Sequence, residues 1–473
     1  MKRTGFTVGV LLLGLVIVVD APGDWSNEAW SVAGIGLLMG VWWMTEAIPI
    51  PATALLPIIL FPVMGVSVIS EAAAPYAHPL IFLFLGGFLI AEAVQRSGLH
   101  ERIALFILKR TGDSVHGAVA GFMAATAFLS MWVSNTATTI MMLPIALSVL
   151  SMTGMKSEEP ESDSSLSTYL LLAIAYSATI GGISTLVGTA PNTFMAAFLA
   201  DTYDIEIGFG AWMMVGVPVA LAGLPVTYLI LKRLFGQNVP DSFGQGKSFF
   251  EDRFAALGAW SKSEIRVALI FVLVALAWIT RPLLMHYVTG LTDSGIALGG
   301  ALLLFMIPSG AIKGHRLLSW RDTRNLPWGV LLLFGGGLSL ARAVTATGLA
   351  TRIGEALASV DPGSFLIVVG MFVTIIILMT EMTSNTAAAA AFLPIAGAVA
   401  ISLGIDPLVL VVPTTMAASC AFMLPVATPP NAIVFGSEKS PLASMIRAGV
   451  WLNLVFAIGI SLFAMILPVL LPS

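Results

Sequence analysis

The chain has 473 residues, 58% of them hydrophobic and only 10% charged, with a mean hydropathy of +0.96 and a formal net charge of −4. That balance leaves too little polar surface to keep a protein of this length in solution. The single cysteine, Cys420, excludes an intrachain disulfide and a cysteine-based metal cluster. The alternating segments of about ten residues that mark a membrane β-barrel are absent, and nothing resembles a nucleic-acid-binding or soluble catalytic domain.

Taken in chain order, hydrophobic runs predict crossings near 5–20, 31–48, 51–66, 80–95, 169–200, 209–231, 265–281, 295–308, 327–345, 407–437 and 441–471. Most are long enough to span about 30 Å of hydrocarbon as a helix. The first run follows Lys2 and Arg3 as a secretory signal would, but it lacks a small-x-small cleavage site before Asp20 and reads as a retained first helix. Two further apolar regions, 115–151 and 363–403, are interrupted by polar residues and read as re-entrant hairpins. The expected fold is therefore an all-α polytopic membrane protein with about eleven transmembrane helices and two re-entrant hairpins.

Basic residues test that reading, because cytoplasmic loops are enriched in Lys and Arg. With the N-terminus cytoplasmic and the C-terminus outside, only Arg281, Arg342 and Arg352 of the 22 basic residues fall toward the outside. Counting either hairpin as two crossings would reverse every later loop and destroy this bias. A multi-pass protein of the cell inner (plasma) membrane is the expectation.

The sequence also repeats itself. Residues 84–99 line up with 334–349, and the same offset of 250 carries Ser134-Asn135-Thr136 onto Ser384-Asn385-Thr386 and Leu143-Pro144-Ile145 onto Leu393-Pro394-Ile395. Further on, Gly188-Thr189-Ala190-Pro191-Asn192 answers to Ala427-Thr428-Pro429-Pro430-Asn431. The glycine-rich runs 80–95 and 327–345 are the fourth and ninth crossings, so they run in opposite directions. This is the pattern of inverted-topology repeats, in which secondary transporters place their site at the midplane between the halves.

The chemistry of these motifs suits an anion together with a cation. Irregular backbone at membrane depth is tolerated only where protein buries it or it lines a wet cavity. Proline removes a backbone donor and frees carbonyls. The half-helices that result offer N-terminal N–H groups to an anion, while freed carbonyls and side-chain oxygens can bind Na⁺. Ser, Thr and Asn both donate and accept, so two such turns could each grip one carboxylate of a small dicarboxylate. No Lys or Arg accompanies either tripeptide. The glycines Gly86, Gly87, Gly335, Gly336 and Gly337 read as close helix packing, and Glu46 as structural at a helix end. Glu381, three residues before Ser384, either tunes a cation site or pairs with a basic residue or the surface. The scattered histidines show no metal-ligand spacing, and no nucleophile–base constellation supports an enzyme.

With Ser419-x-x-Phe422-x-x-Pro425-Val426-Ala427-x-x-x-Asn431-x-Ile433-Val434 and both tripeptides, the chain resembles the divalent anion/sodium symporter family over essentially its whole length. The resemblance implies a homodimer in which an elevator-type transport domain moves against a scaffold. The scaffold would comprise 1–97 and 209–345, and the transport domain 112–208 and 360–473. Interfacial arm helices at 98–111 and 346–359 would join them. The first arm presents Leu99, Ile103, Phe106 and Ile107 on one face against Arg102, Lys109 and Arg110. One Na⁺ site would use Ser130, Ser134, Asn135 and Gly188, and a second Thr380, Thr383, Asn385 and Ala427. Substrate would contact Ser134, Asn135, Thr189, Ser384, Asn385, Thr386, Thr428 and Pro429. The leading expectation is Na⁺-coupled symport of C4 dicarboxylates (succinate, malate, fumarate) with no cofactor beyond the coupling ion. The alternatives are a dicarboxylate exchanger of the same fold and a sulfate carrier. No lysine or histidine replaces a cation at either predicted site, which favours coupling.

Overall fold

A computed structural model describes residues 2–152, 160–237, 239–242, 246–310, 314–358 and 365–471. Its regular structure among these residues is helical throughout. The first helices are α1 (Lys2–Val18), α2 (Asn27–Thr45), α3 (Leu56–Val63) and α4 (Pro79–Arg96). Next come the short α5 (Leu99–Leu108) and then α6 (Val115–Ser130), α7 (Asn135–Met152), α8 (Pro160–Gly182) and α9 (Ala190–Tyr203). The middle of the chain forms α10 (Phe209–Phe235), α11 (Gly246–Ala256), α12 (Lys262–Leu284) and α13 (Asp293–Met306). The remainder forms α14 (Trp328–Ala346), α15 (Leu349–Ala358), α16 (Phe365–Thr380), α17 (Asn385–Ser402), α18 (Leu408–Ser419), α19 (Pro429–Phe435) and α20 (Leu442–Phe463).

Six helices among the described residues are long and apolar enough to cross a membrane, and shorter apolar helices accompany them. Much of the apolar surface faces outward, as a lipid solvent permits. On α12, Ile265, Leu269, Leu273, Leu276 and Leu283 are all exposed. The predicted elements recur with local differences. The expected crossing at 51–66 is two short helices, Ile50–Thr53 and Leu56–Val63, because Pro57 at the start of the second removes the N–H that would continue the ladder from the first. The crossings at 169–200 and 407–437 are each broken, between α8 and α9 and between α18 and α19. The helix of the crossing expected from 169 already begins at Pro160, and residues 153–159 before it lie outside the described residues.

Packing explains the glycines. A Cβ on Gly86 would lie 2.6 Å from the Ala297 side chain, and one on Gly336 would strike the Ala54 backbone. Gly87 faces Val187 in the first break, and Gly337 faces Phe194 on α9. The two glycine-rich helices thus approach the first broken crossing closely. Glu46 ends α2 in the left-handed region (φ 47°) and pairs with Lys2 at 3.5 Å across an exposed surface.

The expected faces of α5 change. Arg102 does not belong to the polar face of α5. It is 3% exposed, and its guanidinium donates to Glu264 Oε1 at 2.6 Å and to the carbonyls of Leu257, Gly258 and Ala259. A buried guanidinium needs that full set of acceptors, and the sequence spacing of α5 could not reveal a partner 162 residues away. Phe106, on the expected apolar face, is 43% exposed. α10, which opens the expected second scaffold segment, lies along α8 and touches α6 and α20 as well as α12.

Candidate substrate and cation site

Each tripeptide sits where a hairpin turns. In the first, α6 ends at Ser130 and α7 begins at Asn135, with Ser134 capping α7 through a bond from Ala137 N at 3.3 Å. In the second, α16 ends at Thr380 and α17 begins at Asn385, with Ser384 as N-cap in extended conformation. A β-region cap before a helix aims the first free N–H groups at the turn.

One contact recurs in both turns. The Ser130 hydroxyl donates to Asn135 Oδ1 at 2.6 Å, and the Thr380 hydroxyl donates to Asn385 Oδ1 at 2.9 Å. Each pair gathers a hydroxyl and an amide oxygen at one point, the donor set a hard alkali cation accepts, and leaves the amide N–H₂ facing elsewhere. The first pair abuts bare backbone. A Cβ on Gly182 would collide with Asn135 Oδ1, and one on Gly188 would collide with the Gly182 carbonyl. The structure therefore brings Ser130, Asn135 and Gly188 to one place, with Ser134 on the same turn. In the second half Thr380 joins Asn385, but the Thr383 hydroxyl is turned back to the Met379 carbonyl at 3.2 Å. Ala427 is buried in the break before α19.

The breaks are stapled alike. Asn192 Nδ2 donates to the carbonyls of Gly182, Ile183 and Thr185, while Asn431 Nδ2 donates to those of Ala421 and Leu424. Both asparagines are fully buried, and the Oδ1 of each is without a partner among the described residues. Thr189 and Thr428 occupy matching N-caps of α9 and α19, and Thr428 accepts from Asn431 N at 3.3 Å. Thr189, Thr386 and Thr428 are buried, Pro429 is exposed, and Ser134, Asn135, Ser384 and Asn385 are half-buried.

The halves meet crosswise. The first half's α9 packs on α17 of the second hairpin, and the second half's α19 packs on α7 of the first hairpin. Each post-break helix thereby sits against the other half's tripeptide helix.

Glu381 neither pairs with a basic residue among the described ones nor lies at the surface. It is 3% exposed, and its carboxylate accepts from the backbone N–H groups of Phe422, Met423 and Leu424 and from Asn453 Nδ2, at 2.7–3.1 Å. In the first half its counterpart by position is Met131, and the break closes on itself, with Ile183 N and Ser184 N bonded to the carbonyls of Ile180 and Gly181. Thr185, whose hydroxyl donates to the Met131 carbonyl and accepts from Gly188 N, does the remaining bracing there. Sequence reasoning passed over Asn192, Asn431 and Thr185 as site residues. The paired Pro-Asn was a usable signal, whereas Thr185 had none.

A family profile described as "Sodium:sulfate symporter transmembrane region" matches residues 2–471. The chain belongs to this family. Among curated proteins it is 39% identical over 468 residues to the Sodium-dependent dicarboxylate transporter SdcS of Staphylococcus saprophyticus, covering 98% of this chain and 90% of that one. It is 40% identical to the SdcS of Staphylococcus aureus strain MRSA252 over 475 residues, covering 99% of this chain and 91% of that one. Two solved structures share the fold at low identity. The YdaH transporter of Alcanivorax borkumensis matches with TM-score 0.57 and 15% identity, covering 100% of this chain and 99% of that one. MtrF of Neisseria gonorrhoeae matches with TM-score 0.58 and 14% identity, covering 98% and 94%. As a member of the sodium:sulfate symporter family, the chain is a multi-pass membrane protein of a transporter class.

Proposed function

We propose that this sodium:sulfate symporter family member is a secondary active transporter that couples Na⁺ to the uptake of C4 dicarboxylates such as succinate, malate and fumarate. The observation that carries the reading is the recurrent hydroxyl–amide pair, Ser130 with Asn135 and Thr380 with Asn385, at two hairpin turns. The two SdcS relatives, named as sodium-dependent dicarboxylate transporters, supply the substrate class and the coupling ion.

In this reading one Na⁺ binds among Ser130, Ser134, Asn135 and Gly188, and a second among Thr380, Thr383, Asn385 and Ala427, where Thr383 must first turn from the Met379 carbonyl. One carboxylate of the dianion is held by Ser134, Asn135 and Thr189, and the other by Ser384, Asn385, Thr386, Thr428 and Pro429. With no Lys or Arg at either tripeptide, bound Na⁺ and helix N-termini balance the dianion's charge, so substrate affinity rises with Na⁺. The halves act as inverted repeats, and the hairpins, broken helices and α20 move as an elevator against a scaffold in a homodimer, linked by the arms α5 and α15. In this reading α10, which packs along α8 and α20, moves with them, and the second scaffold segment begins beyond it. The protein sits in the inner membrane with its N-terminus cytoplasmic.

The closest rival readings are a dicarboxylate exchanger and a sulfate carrier of the same fold. Counterflow in proteoliposomes with succinate, 2-oxoglutarate, citrate and sulfate separates the substrate classes. Succinate should drive the fastest counterflow, and sulfate outcompeting succinate would overturn the dicarboxylate assignment.

A further inference from the structure

In each half a backbone carbonyl of the break is held by an aromatic side chain from outside the break. The offset that takes Thr189 onto Thr428 takes Ile183 onto Phe422. The Ile183 carbonyl accepts from the indole N–H of Trp212 on α10 at 3.0 Å. The Phe422 carbonyl accepts from the Tyr176 hydroxyl on α8 at 2.8 Å, with the two rings edge to face at 5.3 Å. Both Trp212 and Tyr176 are fully buried.

A glycine completes the seat in each half. A Cβ on Gly216 of α10 would lie 2.5 Å from the Ile183 oxygen, and one on Gly449 of α20 would lie 2.5 Å from the Phe422 oxygen. Each helix therefore rests directly on the peptide of its break. Trp212 stands four residues before Gly216, and Met445 stands four residues before Gly449. A thioether has no hydrogen to donate. Tyr176 supplies one from α8, and its hydroxyl also lies 3.3 Å from the Met445 carbonyl. The two halves thus reach one arrangement, an aromatic donor and a glycine on the same carbonyl, by different residues.

Both carbonyls adjoin a hydroxyl–amide pair. Ile183 follows Gly182, on whose bare backbone Asn135 Oδ1 rests. Phe422 N donates to Glu381 at 2.7 Å, and the adjoining Thr380 shares its hydroxyl hydrogen between Asn385 Oδ1 and the Ala418 carbonyl of the same break.

We propose that Trp212 and Tyr176 are positioning residues for the two cation sites: each fixes, through one carbonyl, the break against which Asn135 or Asn385 is set. The proposal rests on the coupled reading above. A carbonyl freed by a break needs a partner where no water reaches it. A large aromatic side chain with its donor at the far end has few rotamers to lose, so it holds that carbonyl at a set distance from its own helix. Oxygen ligands displaced by about 0.5 Å no longer match a small ion. Loosening either carbonyl therefore weakens Na⁺ binding and spares the rate of the loaded transporter.

The test is succinate uptake against Na⁺ concentration in proteoliposomes of the full chain, for wild type, Tyr176→Phe and Trp212→Phe. Tyr176→Phe removes the hydroxyl and keeps the ring against Phe422. It should raise the Na⁺ concentration for half-maximal uptake about fivefold, the worth of one hydrogen bond, with the maximal rate within about twofold of wild type. Trp212→Phe should shift the same quantity in the same direction. Either variant inserted at normal abundance with its half-maximal Na⁺ unchanged, whatever its maximal rate, would overturn the inference. Wild-type uptake indifferent to Na⁺ would instead remove the coupled reading, and this inference with it.

Discussion

At the scale of single residues, the paired amides carry most of the account. Asn135 and Asn385 each accept from a hydroxyl five positions earlier, so each brings an amide oxygen against a hydroxyl at its turn. Asn135→Ala and Asn385→Ala should each reduce Na⁺-dependent uptake at least a hundredfold while surface expression and helicity stay at wild-type levels; uptake near wild type in either variant would count against the site. Glu381 gives a second prediction. It holds three consecutive N–H groups of the second break, and the first break needs no such anion. Glu381→Gln presents an N–H₂ group to donors and should raise the Na⁺ concentration for half-maximal transport about tenfold, whereas Met131→Leu at the matching position should leave it unchanged. Sequence made the asparagines legible because they occur twice at one offset. It left Glu381 open because its partners are backbone groups about forty residues away, which no residue pattern records.

At the scale of elements, the broken crossings were visible as Pro-Asn interruptions, since proline marks where a ladder loses a donor. The split of 51–66 was equally written in its prolines, but hydropathy averaged over it. The arm α5 was legible as amphipathic and misleading about Arg102, because charge on a helix face says nothing of a distant acceptor. Arg102 and Glu264 form a buried pair, with side chains 4% and 8% exposed. Arg102→Met alone leaves Glu264 buried without its partner and should cost about 3–5 kcal/mol, seen as a lower melting temperature of the purified protein. The double variant Arg102→Met with Glu264→Leu should recover much of that loss, and a double variant no more stable than the single would show that the pair is not the unit.

At the scale of the whole molecule, the crosswise packing of α9 on α17 and of α19 on α7 places each half's broken helix against the other half's hairpin. A one-ended site would bind one carboxylate. In the proposed reading, two turns joined this way suit a molecule with an anionic group at each end and make substrate and cation occupancy interdependent. The order of the elements came from hydropathy and the positive-inside bias, both long-range averages that tolerate local error. The packing partners of α10 did not, because α10 looks like any other apolar crossing until its neighbours are known. The central claim is coupling, and one measurement reaches it directly: succinate uptake into proteoliposomes empty of dicarboxylate, with an inward Na⁺ gradient and with the same Na⁺ on both sides. The account predicts transient accumulation above the external concentration only under the gradient. Uptake indifferent to the gradient, or dependent on internal dicarboxylate, would contradict it.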